Sequence, residues 1–158
     1  MLTRGAVKAA AGVGAGAKER ARAKALELLW RACRQSDLKK LTAVLREHAA
    51  ELEGALDTQD HLEHAWQCTA LAYAARNNFP AGVEVLLKAG AGVDKTIREG
   101  RTALTDASFR GYDEVVALLL KFGASINQTK DSGATALYLA AHEGHDKVIE
   151  MLIEHGAY

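Results

Sequence analysis

The chain repeats itself every thirty-three residues, and this period constrains the fold more than any other feature of the sequence. The segment GRTALTDASFRGYDEVVALLLKFGAS begins at Gly100, and GATALYLAAHEGHDKVIEMLIEHGAY begins at Gly133. The same shift upstream reaches CTALAYAARNNFPAGVEVLLKAGAG, which begins at Cys68. Repeats of this length predict stacked units that bury their apolar faces against their neighbours. Four sets of identical residues keep the register: Thr69, Thr102 and Thr135; Leu71, Leu104 and Leu137; Ala74, Ala107 and Ala140; Gly90, Gly123 and Gly156.

Each unit has the pattern of two short antiparallel helices. The aligned threonine is suited to cap the first helix, because its hydroxyl can accept a backbone N–H of the first turn. Gly111 and Gly144 are placed to end that helix in a left-handed conformation, and Asn78 stands at the same position of the earlier unit. Pro80 suits the first position of a second helix. The second helix then carries an apolar stripe, which in one unit is Val115, Val116, Leu118, Leu119 and Leu120.

These residues resemble the ankyrin repeat, whose pattern has a Gly-x-Thr-Pro-Leu-His opening, a central Ala-Ala, a Gly-His and a Val-Val/Leu-Leu helix. The resemblance is strong over residues 65–158. All three units have Thr-Ala where the family usually has Thr-Pro, and the fold should survive this change because proline there only pre-sets φ. The resemblance implies an all-α, helix-turn-helix solenoid with short β-hairpin-like loops between repeats. It also implies a function in binding other proteins.

A fourth, degenerate unit precedes these three. Ala32 and Cys33 fall on the small pair of the first helix, forty-two residues before Ala74 and Ala75, so the connection holds about nine extra residues. The predicted domain therefore covers residues 24–158, with units at 24–64 (including an insertion at 53–64), 65–97, 98–130 and 131–158. Residues 1–23 form a basic, Ala/Gly-rich extension. We expect residues 1–18 to be disordered on their own and a helix to begin near Lys18, because the first part can bury little apolar surface.

The stretch HEGHD, from His142 to Asp146, has the ligand chemistry of a metal site. Its two histidines are three residues apart with the helix-ending Gly144 between them, whereas a zinc helix needs a spacing of four. The aligned positions of the other units could not share a metal, so an aromatic or hydrogen-bonded role over the turn is the better interpretation for His145. We expect no metal, no cofactor and no catalytic set, and hence no enzyme. Cys33 is expected to be buried and Cys68 to be exposed on a hairpin.

Charge and composition limit the partners and the compartment. Acids and bases number 20 each, so no global charge favours nucleic acid. Residues 1–24 hold six bases and one acid, which makes a tail of +5 on a body of −5. Two cysteines do not make a disulfide framework, and no apolar run is long enough to span a bilayer. We expect an intracellular, cytoplasmic or cytoskeletal protein; the acid-poor N-terminus leaves a mitochondrial location as the alternative.

The resemblance also assigns candidate binding residues, since the first helices of ankyrin stacks line a concave groove beside the hairpin tips. A basic tip suggests a partner with an acidic patch, although ordinary solvated surface is the competing interpretation. The predicted role is an adaptor or accessory subunit of a larger assembly, the last unit having an uncovered apolar stripe; the alternative is an inhibitor that docks on an enzyme. The groove residues are Tyr73, Arg76, Asn77, Asp106, Phe109, Arg110, Leu139, His142 and Glu143, and the tip residues are Lys95, Arg98 and Arg101.

Overall fold

The structure is a computed structural model that describes residues 4–59 and 68–158, with side chains described from Gly16 onward. Within these ranges the chain forms helices and no strand. The helices are α1 (Arg4–Arg34), α2 (Leu38–Glu47), α3 (Ala49–Leu52), α4 (Ala70–Arg76), α5 (Pro80–Lys88), α6 (Ala103–Arg110), α7 (Asp113–Lys121), α8 (Ala136–Glu143) and α9 (Asp146–Glu154), with one 3₁₀ turn at Arg98–Gly100.

The helices stack in two layers. The first helices of successive repeats, α1, α4, α6 and α8, pack side by side, and the second helices, α2, α5, α7 and α9, do the same. Loops between repeats fold back as tight hairpins: the Ile97 N–H donates to Arg101 O at 2.8 Å, and the Lys130 N–H donates to Ala134 O at 3.0 Å. The two hairpins are joined by the Asp131 N–H, which donates to Glu99 O at 3.0 Å. The predicted all-α solenoid is confirmed.

The helix ends lie where the repeat pattern placed them. Each aligned threonine caps its helix: Thr69 Oγ1 accepts the Ala72 N–H at 3.2 Å, and Thr135 Oγ1 accepts the Tyr138 N–H at the same distance. Pro80 occupies the first turn of α5. The turn between first and second helices takes a positive φ in every repeat, which ends the first helix because the left-handed conformation cannot continue it. The residues concerned are Ser36 (φ 51°), Asn78 (φ 49°), Gly111 (φ 70°) and Gly144 (φ 76°).

The core follows the apolar stripe of the second helices. Leu86, Leu119 and Leu152 stand one period apart and are all 0% exposed. The alanines Ala74 and Ala107 of the small pairs are equally buried, which lets neighbouring first helices approach closely. A repeat array of this kind has no single core shared by all repeats, so it is stabilised by the contact of each repeat with the next.

Two expectations are corrected by the structure. Cys33 is buried as expected, but Cys68 is also buried, and the prediction that it is exposed was wrong. Cys68 lies just before the N-terminus of α4, close to Asp106 and Arg101 of the next repeat. Burial, with a smaller contribution from the nearby Asp106 carboxylate, raises the pKa of the Cys68 thiol to about 11.

Helix α1 is longer than the sequence led us to expect. It begins at Arg4, so the expectation of disorder is wrong for residues 4–18, and the boundary at residue 23 lies inside a helix. Of its four glycines, the three in the helix interior, Gly12, Gly14 and Gly16, each cost about 1 kcal/mol of helix propensity relative to alanine. They neither remove a backbone donor nor clash with the preceding turn, so they do not end the helix as a proline would. Residues 60–64 of the predicted insertion lie outside the described residues.

Candidate functional site

The candidate site is a row of side chains at the C-terminal ends of the first helices. The small pairs of α1, α4 and α6 are buried, as is Ala140 of the pair in α8, and the residue that follows each pair reaches the rim of the layer. Those residues are Arg34, Arg76, Phe109 and His142. Phe109 is 44% exposed and His142 is exposed, whereas the two arginines are half-buried. The repeat thus builds a continuous ledge that is cationic at one end and aromatic further along.

A second row lies one residue further along each helix. It comprises Gln35, Asn77, Arg110 and Glu143, and all except the half-buried Arg110 are exposed. Asn77 also has an internal contact, since its side-chain amide donates to Cys33 O and to Arg34 O, both at 3.4 Å. These bonds satisfy carbonyl groups that the end of α1 leaves without helical partners. We call the two rows together the rim.

Two of the predicted groove residues are buried and do not lie on the rim. Tyr73 is 7% exposed and Asp106 is 5% exposed, so a partner that contacts the ledge would not reach their side chains directly. The Arg34 guanidinium lies over the Tyr73 ring at 5.5 Å from its centroid, a cation–π contact that links α1 to α4. Leu139 is half-buried. The residue just before the small pair therefore supports the rim from beneath.

Asp106 has an ion pair beneath the rim. Its Oδ1 lies 3.0 Å from the Arg101 guanidinium, and the two side chains are 6% and 15% exposed. Desolvation raises the pKa of the Asp106 carboxyl, although four cations around it oppose the shift: Arg101, Arg76, Arg110 and Lys130. The other carboxylate oxygen, Oδ2, is buried and accepts no hydrogen bond. The pair attaches the hairpin at residues 97–101 to α6.

The predicted basic hairpin tip is only partly presented to solvent. Arg101 belongs to the buried pair, so its guanidinium does not lie at the tip. Lys95 is exposed and lies 3.8 Å from Asp57 Oδ2, and Arg98 is exposed on the 3₁₀ turn. The cationic surface beside the rim therefore comes from Lys95 and Arg98.

The HEGHD stretch divides between two separate tasks. His145 Nε2 donates to Phe109 O at 3.0 Å, which joins the last two repeats and confirms a hydrogen-bonded role over the turn. His142 Nδ1 lies 2.7 Å from Glu143 Oε1, and its ring stacks on Tyr138 with centroids 6.2 Å apart. In the part of the chain that the structure describes, no three His, Cys, Asp or Glu residues come together as metal ligands.

Sequence reasoning missed a periodic set of contacts between the loops. Asp57 Oδ1 accepts the Gly92 N–H at 2.7 Å, and Asp94 Oδ1 accepts the Ser125 N–H at 2.8 Å. The third contact is from the Tyr158 N–H to Asn127 Oδ1 at 3.2 Å. The three donors are one period apart, as are the last two acceptors, so the spacing was visible in the sequence. The first acceptor, Asp57, does not follow this spacing. It lies five residues away from the position given by the forty-two-residue register of that unit's helices, because the insertion follows them.

Within the described residues, no helix combines the length and the apolar character needed to cross a membrane. A search of curated proteins finds no match to the chain. The family comparison is positive: the sequence model for ankyrin repeats (3 copies) matches residues 4–130 and again residues 88–158. The two matches together span the stacked helix pairs, the capping threonines and the hairpins described above. The chain therefore belongs to the ankyrin repeat family.

Proposed function

We propose that this chain is a non-enzymatic adaptor or accessory subunit that binds a partner protein through the rim. Ankyrin repeats indicate a protein–protein interaction module, and their family is generally not enzymatic. The observation that carries the proposal is Phe109, a large aromatic side chain left 44% exposed beside the half-buried Arg76 of the same ledge and the half-buried Arg110 of the second row. Exposed aromatic and arginine side chains in one patch are the residues enriched at binding hot spots.

The charge on the rim favours a partner with an acidic patch. Arg76 and Arg110 of the rim lie near enough to Asp106 to act on its carboxylate, as Lys130 does, while the charge of Arg101 is taken up by its ion pair with Asp106 beneath the rim. Lys95 and Arg98 add positive charge on the adjacent hairpin. Complementary charge of this kind steers encounter and selects partners more than it adds affinity. The half of the rim around His142 and Glu143 is close to neutral and would contact less charged surface.

Replacing Phe109 and Arg110 by alanine tests the proposal. Both side chains reach the surface without forming the core, so circular dichroism and thermal unfolding should change little. Partner capture from cell extract, followed by crosslinking and mass spectrometry, should fall about tenfold or more, as expected for loss of a hot spot. The matched control replaces Lys88 and Lys121 by alanine. These are two exposed cations of the second helices α5 and α7, and the control should bind as the wild type does. Undiminished capture by the Phe109 and Arg110 variant would refute the rim as the binding surface.

The same experiment separates an adaptor from an inhibitor. An adaptor or subunit should co-purify with a large intracellular complex, and its rim variant should leave that complex. An inhibitor should be recovered free of such a complex and should lower the activity of one captured enzyme in a stoichiometric manner. Fractionation of cytoplasm and mitochondria, with the same rim variant as a reference, would place the protein in its compartment.

A further inference from the structure

The last described repeat exposes an apolar face, whereas the same face of the preceding repeat is covered by the repeat that follows it. Thr105 is 2% exposed and Leu120 is 9% exposed, because the following repeat packs on them. One period later the same positions hold Tyr138, 60% exposed, and Ile153, 56% exposed. We call the surface of α8 and α9 around these two side chains the end face. Two large apolar side chains at positions that are otherwise buried mark a surface able to receive another helix pair.

Electrostatic interactions link the second helices of successive repeats at two stacking steps, one of them through an ion pair. Lys147 of α9 forms an ion pair with Asp113 of α7. The pKa of Glu84 in α5 is lowered first by Lys88 of its own helix, and Lys121 of α7 lowers it as well. In both cases an acid of one repeat is stabilised by a base of the following repeat.

The first repeat carries bases at the positions that hold the base in these interactions, and the end face carries acids at the positions that hold the acid. Ser36 and Asn78 share the left-handed turn, which sets the register of α2 against α5 at forty-two residues. In that register Lys39 takes the position of Lys147, and Arg46 takes the position of Lys121. At the end face Asp146 takes the position of Asp113, and Glu150 takes that of Glu84. All four side chains are exposed: Lys39, Arg46, Asp146 and Glu150.

We propose that a second copy of this chain stacks head to tail on the end face, with its α1 and α2 placed as a following repeat would be. This arrangement sets Lys39 of one copy opposite Asp146 of the other, and Arg46 opposite Glu150. The net charges of the helices agree with it, since α2 has three bases and one acid, and α9 has three acids and one base. A head-to-tail contact uses different surfaces on the two copies, so it extends into open chains, or into rings where the rotation between copies closes. The proposal does not depend on the partner of the rim, so it stands apart from the proposed function.

A complementary pair of charge-reversal variants of the full chain tests the stacking. One variant carries Asp146→Lys and Glu150→Lys, so both of its faces are basic; the other carries Lys39→Glu and Arg46→Glu, so both are acidic. Sedimentation velocity over a range of concentrations should show wild-type chains that grow beyond two copies and shorten at high salt, because screening weakens exposed pairs. Each variant alone should associate about tenfold or more weakly, since like charges then face each other. An equimolar mixture of the two variants should associate again.

A control variant with Glu99→Lys and Glu114→Lys has the same change in net charge as the first variant, at exposed acids of an inner repeat that belongs to neither face. It should associate as the wild type does. Wild-type chains that stay monomeric at high concentration would overturn the proposal and leave the end face to another occupant. A closed dimer, or association that both reversals leave intact, would overturn it too. Circular dichroism of each variant keeps loss of folding distinct from loss of stacking.

Discussion

Replacement of Leu119 by alanine tests the interior of the solenoid. Leu119 is 0% exposed in α7, and Leu86 and Leu152 of the neighbouring repeats are equally buried at the equivalent positions. Removing three buried carbons loses about 2.4 kcal/mol of transfer free energy, at about 0.8 kcal/mol for each carbon. The cavity adds to this because the two flanking repeats prevent collapse, so the total loss should be about 3–5 kcal/mol.

Urea denaturation followed by far-ultraviolet circular dichroism measures this loss. With a urea dependence of about 2 kcal/mol per molar, a loss of about 3 kcal/mol lowers the midpoint by about 1.5 M. Leu118→Ala is the matched control, since its side chain lies in the same helix and is only half-buried. It should lose clearly less stability than Leu119→Ala. A loss below about 0.5 kcal/mol at Leu119, or equal losses at both positions, would show that the stripe is not the buried seam between repeats.

Three further predictions follow from single sites. Gly111→Ala and Gly144→Ala both place a side chain at a positive φ, but only the Cβ at position 111 meets a neighbour, the His145 imidazole at 2.5 Å. Gly111→Ala should therefore lower the free energy of unfolding by about 1 kcal/mol more than Gly144→Ala does, as measured by thermal unfolding. Because desolvation raises the pKa of Asp106 in the folded chain, the folded state binds the carboxyl proton more tightly than the unfolded state does. The resulting contribution to stability is complete below the ordinary pKa of 3.8 and is lost as the pH rises through the higher folded pKa. The free energy of unfolding of the wild type should therefore fall relative to that of Asp106→Asn between about pH 4 and pH 7, and an unchanged difference between the two proteins, measured in urea, would contradict this. Burial raises the thiol pKa to about 12 at Cys33 and to about 11 at Cys68, so neither should be alkylated in the native chain near neutral pH, whereas both should react in concentrated urea.

The period of thirty-three residues was sufficient to predict the architecture. A capping threonine and a left-handed turn act on backbone groups within four residues of themselves, so their effect can be read from the local sequence. The buried leucines follow from the same pattern, because a stripe repeated in every unit has only the neighbouring unit to pack against. The exposed rim residues Phe109 and His142 were found in the same way, as the positions that the repeat leaves variable.

The burial of Tyr73, Asp106 and Cys68 and the partial burial of Arg101 were decided only by the tertiary structure. Each of these side chains lies between one repeat and the next, and its exposure depends on how closely a neighbouring helix or hairpin approaches. The length of α1 was decided by a balance in which glycine weakens a helix without breaking it, and the alanines around it tip that balance. The loop ladder joins Asp94 to a backbone N–H thirty-one residues away. A contact of that kind has no local signature, because it forms only when stacking brings two loops within hydrogen-bonding distance.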